Sequence, residues 1–120
     1  MHILIVESKT ELGLLWQRHL QRQGHRVDRS ETADQATSAI ASTSYDVILM
    51  DLVLDRGSSL GVADYARLRQ PETNLVFVTD STFFSAGMLF AASPNARTLV
   101  RSETDPGDLA AIVEYYGGHT

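Results

Sequence analysis

Three runs in this chain, Ile3-Leu4-Ile5-Val6, Val47-Ile48-Leu49-Met50 and Leu75-Val76-Phe77-Val78, are apolar without interruption and rich in β-branched residues. A strand covered on one face alternates polar and apolar residues. Uninterrupted runs of this length imply strands buried on both faces, as in a parallel sheet. Arg26-Val27-Asp28 and Leu99-Val100 are weaker segments that complete a set of five. The stretches between them have helical spacing. From Glu11 to Gln23, Leu12, Leu15, Trp16, His19 and Leu20 share one face, with Trp16 and Leu20 as core, and Gly24 closes the helix. Thr32 and Gln35 form a capping box ahead of Ala36, Ala39, Ile40 and Thr43. A Gly/Ser-containing loop from Asp55 to Ser59 leads into a helix that ends before Pro71, and Phe83 to Ala92 has helical length. The last helix starts at Asp105 as N-cap with Pro106 in its first turn. It carries Leu109, Ile112, Val113 and Tyr116 inward and stops at Gly117. Five strands alternating with five helices predict an α/β fold with a doubly wound five-stranded parallel sheet.

Composition narrows the possible functions. The chain has 120 residues and no repeat, linker or low-complexity tract, so it is expected to be a single domain over 1–120. Fifteen acids against ten bases give a formal charge of −5, which argues against a protein that coats phosphate backbones, so no nucleic acid is expected as partner. The absence of cysteine excludes disulfides, thiol catalysis and cysteine–zinc sites. No apolar run approaches the ~18 residues needed to cross a bilayer, and the N-terminus lacks a signal-peptide pattern. The expected setting is therefore cytoplasmic, away from a membrane. His2, His19, His25 and His119 lack metal-ligand spacing.

In such sheets function sits where the strands end at their carboxyl edge. The residues found there are Glu7-Ser8, Asp51, Thr79-Asp80 and Arg101-Ser102. Adjacent carboxylates are costly unless a proton or cation joins them. Mg²⁺ suits the purpose, since it takes one or two carboxylates plus water and phosphate oxygens. It would hold a phosphoryl donor in line with a carboxylate nucleophile, while the hydroxyl and the cation bind oxygens of the new acyl phosphate.

The sequence resembles the receiver domain of two-component response regulators, from Met1 to about Tyr116. The segments that carry the resemblance are ILIVES at 3–8, DVILMDLVLD at 46–55, LVFVTD at 75–80 and LVRSETDPGDL at 99–109. It implies a flavodoxin-like topology, with Asp51 as phosphoacceptor and Thr79 as switch hydroxyl. Arg101 stands in the place of the family's lysine. Glu7, Asp51 and the backbone carbonyl of Val53 are the implied Mg²⁺ ligands. The implied partners are a histidine kinase or histidine phosphotransfer protein and a downstream protein partner, reached by contact and not by enzymatic turnover. The chain starts at a methionine on the first strand and ends past the fifth helix, so a standalone receiver is expected.

Several residues depart from the family pattern. Ser8 replaces the second acid, usually a direct metal ligand, and loss of such a ligand costs at least the ~10–100-fold known for outer-shell losses. Arg101 keeps the lysine's charge but not its compact shape. Ser102 replaces a proline, Thr98 an aromatic switch residue and Ser59 a glycine, while Asp80 adds negative charge at the mouth. Asp80 and Asp55 are candidates to restore the missing metal charge. Together the departures support an alternative, a pseudo-receiver that serves as an interaction module without phosphorylation. A haloacid-dehalogenase-type phosphatase needs an acid where Val53 stands. A flavodoxin-like redox protein needs a phosphate loop after the first strand, and a dinucleotide site needs GxGxxG; both are missing. Phe83, Phe84, Met88, Leu89 and Phe90 cluster where no charge occurs from Ser81 to Asn95. A helix apolar all round needs cover on every side, so a homodimer or partner interface through the fourth helix is expected at Phe83, Phe84, Met88 and Phe90.

Overall fold

In the computed structural model, which describes residues 1–80 and 86–118, successive residues of the central strands pack into opposite layers. The strands are β1 (His2–Val6), β2 (Arg26–Ser30), β3 (Val47–Asp51), β4 (Asn74–Thr79) and β5 (Ala96–Arg101). They form one parallel sheet in the order β2-β1-β3-β4-β5. The helices are α1 (Thr10–Arg22), α2 (Ala33–Ser42), α3 (Ser59–Arg69), α4 (Ala86–Ala92) and α5 (Pro106–Gly117). Ile3, Ile5, Leu49, Val76 and Val78 meet Trp16 and Leu20 of α1 and Leu109 and Val113 of α5. Leu4, Val6, Ile48, Met50 and Phe77 meet Ile40 of α2, Val62 and Ala66 of α3 and Leu89 of α4. Each buried Val, Leu, Ile, Phe or Met among them contributes roughly 1.5–3 kcal/mol relative to exposure. Two apolar layers back to back therefore explain the uninterrupted runs, and the expected doubly wound sheet is what forms.

The chain winds from β1 outward to β2, then returns past β1 to β3. The order therefore reverses between β1 and β3, which leaves a crevice at their carboxyl ends. Two elements differ from expectation. β5 begins at Ala96, ahead of Leu99, because a bulge lets Ala96 pair with Leu75 and Thr98 with Val76. A one-residue slip reverses which face each side chain takes. Here the slip brings Arg101 into register with Thr79. The fourth helix, expected from Phe83, is described from Ala86. Phe83 and Phe84 lie outside the described residues. Among the described residues of α4, Leu89 is buried, while Met88 and Phe90 are 60% and 40% exposed.

The helix starts are built as their sequences suggest. Thr32 accepts from Gln35 N at 3.1 Å, Ser58 from Gly61 N at 3.1 Å and Asp105 from Gly107 N at 3.0 Å. The Gln35 side chain returns to Glu31 N, one residue ahead of where a capping box would place it. α1 is the exception, since its cap residue Lys9 makes no side-chain cap bond. The β3–α3 loop turns at Gly57, with φ +92°, where a Cβ would lie 2.3 Å from that of Ala33. Only glycine meets both demands.

Candidate functional site

Glu7 follows β1 and is fully buried. Its Oε2 accepts the Lys9 backbone N–H at 3.0 Å, while Oε1 is buried and accepts no hydrogen bond. Asp51 ends β3, half-buried, and its Oδ1 accepts the Val53 N–H at 3.0 Å. The two carboxyl groups lie within reach of each other. Burial pushes Glu7 up to about 7, against the Lys9 N–H bond, and the Asp51 carboxyl beside it adds to the rise. Asp51 is also raised, mainly by burial and also by Asp80, while the Val53 N–H and Glu7 oppose the rise. Two acceptors that face each other in a buried place need a proton or a cation between them. Of the two, Glu7 is the member that takes up a proton as pH falls below neutral.

Ser8 does not stand in for a carboxylate here. Its hydroxyl donates to Glu31 O at 3.3 Å and accepts from Asp55 N at 2.9 Å, so it fastens three loops together. Thr79 is buried at the end of β4, and its carbonyl accepts from Ser102 N at 2.9 Å, a bond that the expected proline could not donate. Ser59 is buried, and its hydroxyl donates to Leu52 O. The left-handed turn of this loop lies at Gly57, two residues before the position where the family usually has a glycine. Arg101 ends β5 with its side chain 45% exposed. Its guanidinium donates to Asp80 O at 3.3 Å and pairs with Glu103 at 3.1 Å. Val53 is exposed in the loop that carries Asp51. The structure thus brings Glu7 and Asp51 together with the Val53 amide, and it places Thr79 and Arg101 side by side across β4 and β5.

One site residue was missed by the sequence reading. Lys9 places its Nζ 3.5 Å from Asp80 Oδ2, and its charge lowers both Glu7 and Asp51. Its signal was a cation at the cap position of a helix, where the backbone dipole disfavours one.

Among the described residues, no three His, Asp or Glu side chains converge as a metal cage would require. The buried Glu7 oxygen without a donor, on a side chain beside a second carboxylate, still fits a cation. The fit is with a divalent ion held by fewer charges than three acids would supply.

A parallel five-stranded sheet with an aspartate at the end of β3 and a buried acid beside it defines a receiver. The chain belongs to the response regulator receiver domain family, whose model matches residues 3–114. Its sequence is similar to the transcriptional regulatory protein DltR of Streptococcus agalactiae, at 30% identity over 79 residues. That match covers 66% of this chain and 35% of DltR, so the chain spans about a third of the length of the curated relatives it matches. Its fold is similar to the N-terminal domain of a response regulator/sensory box/GGDEF protein from Carboxydothermus hydrogenoformans. The TM-score is 0.87 and the identity 24%, over 98% of this chain and 94% of that one. The response regulator TrrA from Thermotoga maritima, solved in complex with Mg²⁺ and BeF, aligns with a TM-score of 0.82 and 21% identity, over 96% and 97% of the two chains. Among the described residues, no helix is long and apolar enough to cross a membrane.

Proposed function

We propose that Asp51 accepts a phosphoryl group from a histidine kinase or histidine phosphotransfer protein, and that the resulting state is passed to a downstream protein by contact. The observation that carries this reading is the Asp51 carboxylate at the switch-point crevice, held by the Val53 N–H beside the buried Glu7 oxygen. The Val53 amide fixes Oδ1, so Oδ2 is the nucleophile. Oδ2 forms a bond to phosphorus while the donor's P–N bond breaks, and its electron pair stays on the imidazole nitrogen. Thr79, at the end of the adjacent strand, would hold an oxygen of the acyl phosphate. Mg²⁺, held by Glu7, Asp51 and the Val53 carbonyl, would neutralise charge developing during the transfer. The contact surface is α4, through Met88 and Phe90, and the setting is cytoplasmic.

A second reading, the pseudo-receiver, is favoured by Ser8, whose hydroxyl is committed to loop backbone instead of the acid pair. One experiment separates the two. The protein is incubated with acetyl phosphate and millimolar Mg²⁺ and its intact mass is followed. A phosphoryl adduct that Asp51→Asn abolishes supports the first reading. The absence of any adduct on the wild-type protein supports the second.

A further inference from the structure

Nine of the ten basic side chains in this protein are arginines, and the single lysine is Lys9. We propose that Lys9 binds the phosphoryl oxygens on Asp51, in the role expected of the side chain at 101, and that Asp80 holds it until the phosphoryl group arrives. The inference rests on the reading of Asp51 as phosphoacceptor.

Three observations support it. The first is the path of the side chain. Lys9 is rooted just after β1, where its N–H binds Glu7 Oε2 at 3.0 Å and its carbonyl accepts from Gly13 N at 3.0 Å. Its ammonium ends 3.5 Å from Asp80, just after β4. β3 lies between β1 and β4, so the side chain crosses the edge where β3 ends in Asp51. The second is the fate of the alternative. Arg101 ends the edge strand β5, two strands from β3 and Asp51, with its guanidinium on the Asp80 carbonyl and the Glu103 carboxylate. The third is the helix cap. α2, α3 and α5 start with Thr32, Ser58 and Asp105, which bond backbone amides, but α1 starts with a lysine that caps nothing. A cation there works against the helix dipole, so α1 gains no stability from it.

The pair with Asp80 can break easily. Lys9 and Asp80 are 66% and 67% exposed, and such pairs are weak. A phosphoryl group on Asp51 raises the local charge from one negative to about two, and its oxygens accept hydrogen bonds strongly. A compact ammonium with three donors can then leave one carboxylate for a stronger acceptor. Lys9 forms no covalent bond; Asp51 takes the phosphoryl group and the donor keeps the electron pair.

The test compares Lys9→Ala, Lys9→Arg and Arg101→Ala for the rate of adduct formation with acetyl phosphate and Mg²⁺ and for the adduct's lifetime, after thermal melts confirm folding. Losing a charge-assisted bond should slow Lys9→Ala by about 10–100-fold. Lys9→Arg should recover part of that loss, and Arg101→Ala should lose less than Lys9→Ala. A readout free of turnover comes from ¹⁵N-lysine labelling, since Lys9 supplies the single Nζ signal of the chain. Beryllofluoride with Mg²⁺ should shift that signal and slow its proton exchange with water. The proposal is overturned if Lys9→Ala keeps the wild-type rate while Arg101→Ala loses tenfold, or if the Nζ signal stays still as the Asp51 amide moves. A wild-type protein that forms no adduct overturns the phosphoacceptor reading itself, which is a different result.

Discussion

The carboxyl edge of the sheet has two unlike halves. β1, β3 and β4 are buried along nearly their whole length, and Glu7 and Asp51, which β1 and β3 present, enter the crevice from a fixed backbone. β5 and α4 are thinly covered. Most of β5 is half-buried or exposed, and among the described residues of α4 only Leu89 is buried. The chemical half of the site thus stands on the most rigid part of the molecule, and the half that would report the outcome stands on the least packed. A phosphoryl acceptor needs fixed geometry, whereas a surface that changes with its state needs few contacts to give up.

The largest effect should fall on the rigid half. Phe77, in the middle of β4, is fully buried in the core layer that it shares with Leu89, Ile40 and Val62. Phe77→Ala should cost roughly 3–5 kcal/mol, read from urea denaturation. A loss below about 1 kcal/mol would mean that the sheet repacks freely, and the contrast between the halves would fail.

A smaller effect, dependent on pH, should come from the acid pair. Glu7 sits at about 7 in the fold against an ordinary 4.5, so folding takes up a proton between those values. Its contribution to stability is therefore fully present below pH 4.5 and is lost as pH rises to 7, above which the curve is flat. Glu7→Gln removes that loss. The variant should match the wild type near pH 4 and exceed it by about 3 kcal/mol at pH 8. Parallel stability curves for the two proteins would show that Glu7 is not the buried, proton-sharing group described here.

The rigid half was also the half that the sequence made legible. Ile3 to Val6 and Val47 to Met50 announce doubly buried strands through local composition alone, and the strand ends then point to Glu7 and Asp51. The other half depends on contacts distant in sequence. The start of β5 is set by a bulge against Leu75, so Ala96 and Arg97 gave no local strand signal. Ser8 differs from an acid in the sequence, but its engagement with Glu31 and Asp55 depends on three loops meeting. Lys9 was passed over for the same reason. Its partner Asp80 lies far along the chain, and their meeting follows from β3 being inserted between β1 and β4.

The smallest effect on stability should come from the exposed half, and it tests what that half is for. Met88 is 60% exposed, so Met88→Ser should change unfolding free energy by no more than about 0.5 kcal/mol. If α4 is the contact surface, the same substitution should weaken self-association or partner binding of the beryllofluoride-loaded protein, measured by sedimentation velocity at several concentrations. The pairing of the two results carries the meaning, since association lost with unchanged stability places the residue at an interface and not in the core. A stability loss of 2 kcal/mol or more would show Met88 packed in solution. Unchanged sedimentation of a loaded protein that does self-associate would move the contact surface off α4.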